Sequence, residues 1–540
     1  MKHTYFFLAI TLLIGFSMGL SAQNQDANMQ DSQGQSAYRF APNGFKLSTR
    51  DHTDLTNLVI FLRFADDPEI DHSFADIDTM FNGKAQDYYS VYNYYKQATY
   101  GQIYYNTVYA DQIQQGQIVS YATQHPRGYY QPYSAANPIG YQGELPLMGV
   151  SMREAELLAE VLTYVNDHGL VNANVNLDGN DDGDIDNISF IVKGGVGAWA
   201  SLLWPHMEFF PHDSIDYPVR VNGKRPNTFN FEFEGAQNYF TATVFCHEMG
   251  HSLGLPDLYH YMNYGYVSPA GSWDLMCSSM SHQQISTILK SKYLGLVDEP
   301  VQITEDGTYT LLSNASGTAQ NCYYIKSAID STQWFTFEYR NKNDLFDEII
   351  PGTGMLIGRW CDTIGTDYWG MYANGFFDFH TKAHQYWIFR PYSEIDTING
   401  DVSSANFSAA NGRTSFGPTT NPHPYLTDGT PEVSFEITDI QEQGDRLTFH
   451  VHFLPVVGVD EYESESVTVY PNPATDQLTV KGADLQRVEL YNIMGQMVHV
   501  ETPGGHDSCV IPIDNLPNGL YVLKIMGQNG NYAVKKVVKR

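Results

Sequence analysis

Two histidines and a glutamate lie close together in the segment VFCHEMGHSLGLPDLYHY, which runs from Val244 to Tyr261. His247 and His251 are four residues apart, and Glu248 follows the first histidine directly. On a helix of about 100° per residue the two imidazoles share one face, and the carboxylate lies beside them. Two nitrogen ligands one turn apart suit zinc, and the carboxylate can take a proton from metal-bound water. The spacing therefore predicts a zinc site with Glu248 as general base.

The residues after the second histidine indicate where a third zinc ligand comes from. Gly254 can end the helix in a left-handed turn, and Pro256 prevents the helix from resuming. Asp257 is thereby carried back from outside the helix, which is where a third ligand must come from. The alternative third ligands are His206, His260 and His282. An ordinary capped helix with surface histidines is the competing structural interpretation.

The helix that carries these side chains needs an apolar face opposite the histidines. Four apolar residues fall at about 160° to 240° from the first histidine on the same wheel. They are Ala242, Phe245, Met249 and Leu253. Before this helix, LVIFLRFADD predicts a buried strand and GVSMREAELLAEVLTYVND a helix, and the two patterns alternate up to about residue 295. This alternation predicts an α+β catalytic domain.

Beyond residue 295 the pattern changes to short strand-like runs. TYTLLS, CYYIKSA, WFTFEYR, GMLIGRW, VSFEITDI and DRLTFHVHF are separated by Gly, Asn, Asp and Pro, which predicts an all-β domain. After the charged segment DEYESES, strand-like runs bounded by turn signals predict a small C-terminal β-sandwich. The expected fold class is therefore multidomain, with the α+β domain first and two β domains after it.

The length and charge of the chain exclude several classes of protein. A chain of 540 residues is too long for one core, because a single core usually stops growing at about 250 to 300 residues. With 30 Lys+Arg against 61 Asp+Glu, the formal net charge of −31 repels phosphate backbones. Nucleic acid is therefore excluded as an expected partner.

The N-terminus predicts export from the cytoplasm. Lys2 is followed by an apolar run from Tyr5 to Leu20 and then by the small residues Ser21 and Ala22. The run is shorter than the roughly 20 residues of a membrane helix and ends like a cleaved secretory signal. No other segment approaches membrane length. The mature chain is expected to be secreted or held at the cell surface, by way of the periplasm and without a transmembrane anchor.

These observations divide the chain into six parts. They are a signal peptide (1–22), a short propeptide (23–50), a catalytic domain (51–299), a β-rich domain (300–459), a linker (460–466) and a C-terminal domain (467–540). The segment after the signal is polar and can equally be an unordered tail. It contains no cysteine, which excludes a thiolate switch on the zinc from this part of the chain.

The segment GSWDLMCSSM after the helix resembles the corresponding part of the metzincin type of zinc peptidase. In that type, a histidine pair with glycine at the same offset is followed by a methionine turn beneath the metal. The resemblance implies this position for Met276. The chain departs from the metzincin pattern at the third ligand, where Asp257 stands in place of a histidine.

The five cysteines are too few and too scattered for a disulfide scaffold or a cysteine-type zinc site. Cys246 precedes the first histidine and Cys277 follows the turn methionine, two segments that the metzincin-like arrangement brings together. This implies a disulfide beside the site, which requires Cα atoms within about 7 Å. Two buried thiols are the alternative. Cys322 and Cys361 form a second candidate pair.

The acidic segment LDGNDDGDIDN predicts a calcium-binding turn. Asp178, Asn180 and Asp182 alternate as oxygen ligands do in a tight loop, and Gly183 supplies the sharp turn. The carboxylates that complete this ligand set are Asp184 and Asp186. An EF-hand proper is excluded, because the twelfth position is a serine and a strand pattern follows. A solvated acidic turn is the alternative interpretation.

Most of residues 55–455 resembles the immune inhibitor A family of secreted bacterial zinc metallopeptidases. The likeness is carried, in the family's order, by LVIFLRFADD, YYKQATYG, DGNDDGDIDNISFIV, LWPH, HEMGHSLGLPDLY, GSWDLM and WFTFEYRNKNDLFDEIIPGTGMLI. The resemblance implies an endopeptidase that cleaves extracellular proteins, with His247 and His251 as zinc ligands and Glu248 as general base. It also supports the calcium turn, and it places His206 in the family's Trp-x-His pattern.

The last part of the chain resembles, separately, the C-terminal sorting domain of the type IX secretion system of Bacteroidetes-type bacteria. The likeness is carried by YPNP, NGLYVLKI and the basic end KKVVKR. It implies recognition by the outer-membrane secretion machinery and removal of the domain afterwards. An ordinary fibronectin-like adhesive module is the alternative.

Two other functions compete with a zinc endopeptidase. The aromatic content, the β-rich second half and the acidic surface are also typical of a secreted adhesin or glycan-binding protein with a vestigial metal site. A zinc hydrolase that acts on something other than peptides would carry the same histidine helix. Loss of protein cleavage on replacing Glu248 distinguishes the endopeptidase from the adhesin, and a peptide library distinguishes it from the other hydrolase.

Overall fold

The computed structural model of the chain describes residues 52–141, 146–195, 205–210, 219–236, 240–259, 267–279, 282–317, 319–364, 383–454, 467–492, 497–527 and 532–540. The predicted signal peptide, propeptide and linker, and His260, lie outside the described residues. The chain divides into two compact units, Met1–Phe453 and Leu454–Arg540. The protein is multidomain and mostly β, with few helices.

The first unit contains helices in its N-terminal part and strands throughout. Its helices are α1 (Phe74–Asn82), α2 (Val91–Ala98), α3 (Pro146–Asp167), α4 (Ala242–Ser252) and α5 (Thr287–Lys292). Its strands are β1 (Thr53–Arg63), β2 (Ile103–Tyr109), β3 (Ile113–Gln114), β4 (Gln117–Ile118), β5 (Tyr121–Ala122), β6 (Asp184–Ile185), β7 (Asn187–Val192), β8 (His206–Phe209), β9 (Arg225–Pro226), β10 (Thr228–Phe233), β11 (Val301–Gln302), β12 (Gly307–Leu312), β13 (Cys322–Lys326), β14 (Gln333–Arg340), β15 (Gly354–Cys361), β16 (Tyr386–Ile388), β17 (Phe435–Gln443) and β18 (Arg446–Phe453).

A six-stranded sheet organises the N-terminal part of this unit. The strand order is β2-β1-β7-β10-β8, and β5 pairs with β1 outside this path. Strands β2, β1, β7 and β10 run parallel, whereas β8 is an antiparallel edge strand. Every residue of β7 and of β10 is buried, because helices cover both faces of the sheet.

The helices on the two faces belong to two separate hydrophobic cores. Helix α3 packs one face together with Ile188 and Phe190 of β7. Helices α1, α2 and α4 pack the other face, where Ile191 of β7 contributes. The period of two along a strand thus directs neighbouring residues of β7 to different cores, and α4 rests on the second of them.

Two further sheets form the C-terminal part of the first unit. Their strand orders are β11-β13-β14-β15-β16 and β12-β18-β17. In β14, Phe335, Phe337 and Tyr339 point into the core between these two sheets. Trp334 of the same strand belongs instead to the core that supports α4. The five-stranded sheet therefore contributes to the same core as the helix that carries the histidines.

The predicted domain boundary at residue 299 falls between two regions that share this core. The change from mixed to all-β structure does fall there, since β11 begins at Val301. The two regions nevertheless form one compact unit that extends to Phe453. The division of this unit into a catalytic and a β-rich domain stays a prediction.

The second unit is built from strands alone within its described residues. Its strands are β19 (Thr468–Tyr470), β20 (Gln477–Leu485), β21 (Arg487–Asn492), β22 (Met497–Glu501), β23 (His506–Pro512), β24 (Gly519–Met526) and β25 (Tyr532–Lys539). They form two sheets, β19-β20-β23 and β22-β21-β24-β25. Leu478 of β20 and Leu490 of β21 belong to one hydrophobic cluster, so both sheets contribute to the same core. The predicted β-sandwich stays a prediction.

Candidate active site

Helix α4 presents the two predicted zinc-binding histidines on one face. Its first turn is capped by Thr241, whose side chain accepts a hydrogen bond from the Val244 backbone N–H. The opposite face packs into the core, where the rings of Phe81 and Phe245 lie 4.6 Å apart between centroids. His247 and His251 are each only 4% exposed. The apolar face of the helix thus packs against the core, and the face that carries the histidines is also buried.

Backbone carbonyls fix the orientation of both imidazole rings. Nδ1 of His247 lies 2.8 Å from the carbonyl oxygen of Leu275, and Nδ1 of His251 lies 2.7 Å from that of Leu255. A carbonyl oxygen only accepts, so each Nδ1 carries the proton. Each Nε2 therefore keeps its lone pair for a metal ion.

The turn after α4 carries a carboxylate back to the histidines. Gly254 has a φ of +92°, and the Leu255 N–H donates to the carbonyl oxygen of Gly250, which closes the helix as a Schellman motif. Beyond this turn, Oδ1 of Asp257 lies 3.0 Å from Nε2 of His247 and 3.6 Å from Nε2 of His251. The left-handed glycine turn predicted from the sequence is present.

The distances from the Asp257 carboxylate to the two histidines suit a tetrahedral zinc ion. Metal–ligand bonds of about 2.0–2.1 Å place tetrahedral ligands about 3.3–3.4 Å apart, and the two observed separations bracket this value. Burial opposes protonation of His247, but the charges of Asp257 and Glu248 outweigh it and raise the pKa of His247 to about 9. The same negative charges attract a metal cation, which competes with that proton.

Glu248 lies beside the candidate metal position. A carboxylate oxygen of Glu248 and one ring nitrogen each of His247 and His251 all lie within 4.8 Å of one another. Glu248 is 9% exposed, so its carboxylate is enclosed together with the two imidazoles. This position allows the carboxylate to take a proton from a water molecule bound at the metal.

A turn containing Met276 supports the helix and the third ligand together. The Leu258 N–H donates to the carbonyl oxygen of Met276 at 2.9 Å. A side-chain carbon at Gly250 would lie 3.1 Å from the sulfur of Met276, so the methionine packs directly against the helix backbone. Asp274 accepts a hydrogen bond from the Met276 N–H at 2.7 Å and stabilises the turn.

Arg340 is a supporting residue that the sequence did not single out. It is fully buried on β14, and its Nη1 donates to the carbonyl oxygen of Trp273 at 2.7 Å. Its Nε donates to Asp347 at 2.7 Å, which neutralises its charge. The signal in the sequence was the alternation of WFTFEYR, in which arginine falls on the face opposite the phenylalanines.

Glu232 is a second residue that sequence reasoning missed. It lies on β10, is fully buried, and is next to Ile191 of β7 in the register of the sheet. Ile191 belongs to the core under α4, so Glu232 is on the face toward that helix. Burial, and then the charge of Glu248, raise the pKa of Glu232 well above its ordinary value.

Two of the three alternative third ligands, His206 and His282, are among the described residues, and each contacts another side chain. Nε2 of His206 on β8 lies 2.8 Å from a carboxylate oxygen of Glu154. Nδ1 of His282 lies 2.9 Å from the hydroxyl of Thr243, and its ring stacks on Tyr89. Within the described residues, the structure brings Asp257 and neither of these histidines to the His247–His251 pair.

The predicted disulfide between Cys246 and Cys277 is absent. Both are free, buried cysteines, as are Cys322 and Cys361. Cys246 points into the core beneath α4, whereas Cys277 accepts a hydrogen bond from the Ala270 N–H at 3.3 Å. Both cysteines belong to the same hydrophobic core, and neither thiol is paired.

The acidic loop does not support the predicted calcium site. Lys224 lies 2.5 Å from Oδ2 of Asp178, and Arg225 forms two hydrogen bonds with Asp184. Backbone N–H groups of the loop occupy further oxygens of the loop's side chains. Two cationic side chains from a distant part of the chain thus contact carboxylates that the sequence assigned to calcium, and the calcium site stays a prediction. Asp182 is exposed in this loop, and Asn180 is half-buried.

Asp186 at the end of the loop predicts a pH-dependent stability. Burial, together with the charges of Asp178 and Asp182, raises the pKa of Asp186 to about 7. Protonated Asp186 is therefore favourable to the folded state. Its contribution to the free energy of unfolding is complete below the pKa near 4 of an unfolded aspartate, and it is lost as the pH rises through about 7. Asp186→Asn, whose amide oxygen can accept the same backbone bonds from Thr56 and Gly179, should therefore raise the melting temperature at pH 8 and not at pH 4.5.

The gain at pH 8 is at most about 4 kcal/mol, because three pKa units at about 1.4 kcal/mol each form an upper bound that solvent screening reduces. Tryptophan fluorescence follows this unit selectively, since all 7 tryptophans precede residue 454. Equal melting shifts at both pH values would contradict the prediction. If Asp186→Asn melts at a lower temperature than the unaltered protein only when calcium is added, that result would support the calcium site.

No helix among the described residues is long and apolar enough to span a membrane.

Two families match this chain, each over one part of it. Residues 221–296 match the family described as immune inhibitor A peptidase M6, catalytic domain. This range contains α4, Asp257 and Met276. Residues 468–540 match the secretion system C-terminal sorting domain. The sorting domain implies that the protein is secreted or held at the cell surface.

One curated relative is similar over a short range. An ulvan lyase of Nonlabens ulvanivorans is 26% identical over 85 residues, which is 15% of this chain and 16% of the relative. Because the chain spans about a sixth of that protein, its activity says nothing about this one. The two family matches confirm the resemblance drawn from the sequence in these two ranges: residues 221–296 are similar to the catalytic domain of the immune inhibitor A peptidases, and residues 468–540 to the C-terminal secretion sorting domain.

Proposed function

We propose that this peptidase is a secreted zinc-dependent endopeptidase in which Glu248 is the general base. The observation that carries the proposal is the distance from Oδ1 of Asp257 to Nε2 of His247 and to Nε2 of His251, which suits tetrahedral zinc. The carboxylate of Glu248 lies beside these atoms in the same enclosed site. Three protein ligands and one open position are typical of catalytic zinc rather than structural zinc.

In this mechanism the residues of the chain hold the reactants and move one proton. Zinc, when bound, lowers the pKa of a coordinated water to about 7 and polarises the substrate carbonyl. Glu248 accepts the proton of the attacking water and later delivers it to the nitrogen of the leaving amine. The carbonyl oxygens of Leu275 and Leu255 hold both imidazoles in the orientation that presents Nε2.

We also infer a metzincin-like arrangement for the catalytic region. It is supported by the histidine helix, by the glycine turn that returns Asp257, and by Met276 packed against Gly250. The four parallel strands and the antiparallel edge strand β8 provide one rigid support for these parts. An aspartate as third ligand distinguishes this site from a site with three histidines.

A library of peptides blocked at both ends tests whether the substrates are peptides. The purified zinc-loaded chain is incubated with blocked peptides of mixed sequence, and new termini are identified by mass spectrometry. An endopeptidase releases fragments by cutting internal bonds, even when both ends are blocked. Absence of new peptide termini, together with cleavage of ester or glycan substrates, would favour a hydrolase of another class. No described feature of the site favours the adhesin alternative.

The sorting domain predicts a specific mature form. We propose that the chain enters the periplasm through its signal peptide and crosses the outer membrane through the type IX machinery, after which the C-terminal domain is removed. Protein recovered from the medium of the native host should then lack the residues after about Ser466. Intact-mass measurement decides this. Soluble, active enzyme that retains Lys535 to Arg540 would contradict the prediction.

A further inference from the structure

Two arginines are completely buried in the β-rich part of the first unit. Arg359 on β15 lies directly opposite Trp387 on β16, in the register of the five-stranded sheet. The guanidinium carbon of Arg390 lies 3.7 Å from the centroid of the Trp387 ring, so the two groups stack. Both arginines and the tryptophan are 0% exposed. These three residues form the arginine–tryptophan cluster.

The cluster contains two positive charges, and one negative charge lies beside it. Asp396 is 1% exposed, and its Oδ2 accepts a hydrogen bond from Arg359 at 2.5 Å. Arg390 forms no ion pair with a described carboxylate. Its Nη1 donates instead to the neutral carbonyl oxygens of Ser268 and Pro269, at 2.7 and 3.1 Å. One positive charge in this enclosed region therefore has no counter-ion of its own.

Neighbouring acidic groups do not supply the missing negative charge. Burial raises the pKa of the Cys277 thiol to about 11 and that of the Tyr425 hydroxyl to about 12, so both are neutral near pH 7. Burial also lowers the pKa of Arg390, but only to about 10, so its guanidinium stays charged. Burial of an uncompensated charge is costly, and a native structure normally balances it.

Four N–H donors in the cluster have no acceptor in the described part of the chain. They are Nε of Arg359, Nε and Nη2 of Arg390, and Nε1 of Trp387. Beside the cluster, Oδ1 of Asp396 is a buried acceptor without a donor among the described residues. Buried donors without acceptors are rare in native proteins and commonly mark a bound water or ion. Water can satisfy these donors but cannot balance the charge, whereas an anion does both.

We propose that a small inorganic anion of the halide class binds at the arginine–tryptophan cluster. A halide accepts several N–H donors at once and needs no donor or fixed orientation in return. All three residues are completely buried and two of them stack closely, so a monatomic anion suits this enclosed region better than a large organic anion. Chloride is the halide we expect in the extracellular environment.

The anion would also stabilise the segment that leads to the active site. Arg390 holds the carbonyl oxygens of Ser268 and Pro269, and the Ser268 hydroxyl accepts a hydrogen bond from the Gly271 N–H at 3.0 Å. Gly271 begins the short helical turn that precedes Asp274 and Met276. Anion binding is therefore expected to stabilise the first unit as a whole, without contacting the proposed zinc ligands.

Thermal melting of the zinc-loaded Glu248→Gln chain tests the proposal without self-digestion. Tryptophan fluorescence reports only the first unit, because the chain has no tryptophan after residue 453. Sodium chloride replaces sodium methanesulfonate at constant ionic strength. Saturable binding of chloride should raise the melting temperature by about 2–4 °C. Bromide in place of chloride should give an anomalous diffraction peak within hydrogen-bond distance of Arg390 or Trp387.

Two variants separate a specific site from a general salt effect. Arg390→Met keeps an apolar group on the tryptophan but removes the charge, so the response to chloride should be lost. Arg446→Met, which removes an exposed arginine on β18, should keep the full response. Equal melting in the two salts, or an equal chloride response in both variants, overturns the proposal. If Arg390→Met does not fold, the bromide diffraction experiment decides, and absence of the peak overturns it.

Discussion

Replacing Glu248 by glutamine should lower kcat/KM for peptide hydrolysis by about 10²–10⁴-fold while zinc binding is retained. Glutamine keeps the size of the side chain but cannot take the proton of the attacking water. The metal ligands proposed for this site are His247, His251 and Asp257, so their affinity for zinc should change little. Initial rates on a blocked peptide, measured beside zinc content by atomic absorption, check both parts of the prediction.

The matched control is Glu348→Gln, which changes an exposed glutamate of the same unit. This variant should cleave the peptide at the rate of the unaltered protein and bind zinc equally well. Full activity of Glu248→Gln would exclude Glu248 as the general base. Loss of zinc along with activity would instead show that Glu248 contributes to metal binding.

Replacing Asp257 by asparagine should weaken zinc binding by at least about 100-fold. Altering residues that only support metal ligands already lowers affinity by about 10–100-fold, and removing a charged ligand has a larger effect. Oδ1 of Asp257 lies 3.0 Å from Nε2 of His247, so it is the donor that completes the set of three. Competition with a chromogenic chelator measures the dissociation constant directly, without relying on activity.

A second readout separates loss of a ligand from loss of the fold. The Asp257 charge contributes to the raised pKa of His247, so Asp257→Asn should lower the pKa of this imidazole in the metal-free protein. NMR titration of the imidazole measures that pKa. Asp298→Asn, at an exposed position of the same unit, should change neither quantity. Unchanged zinc affinity in Asp257→Asn would point to another third ligand.

Features carried by neighbouring residues along the chain were predictable from the sequence. His247, Glu248 and His251 share a helix face because three residues and four residues are close to one helical turn. Gly254 follows from the same local argument, since its φ of +92° is required by the end of that helix. The strands of the β-rich region were recognisable for a similar reason, because alternation in runs such as WFTFEYR is a property of a single strand.

Features that depend on residues far apart in the chain were not predictable in this way. The sequence suggested calcium for the acidic loop because it showed only the aspartates. In the structure Lys224 lies against Asp178, which is 46 residues earlier. The disulfide failed for the same reason, since proximity of two segments does not say which way each thiol points. Cys246 and Cys277 belong to the same hydrophobic core, and both are free thiols.

The sequence by itself determined that a histidine helix, a returning aspartate and a sorting domain are present. Only the tertiary structure decided how these residues are held. The carbonyl of Leu275 orients His247 from 28 residues away, and Arg340 reaches the same turn from a different sheet. Spacing along a helix follows from the fixed geometry of the local backbone, whereas contacts between distant segments depend on how the whole core packs.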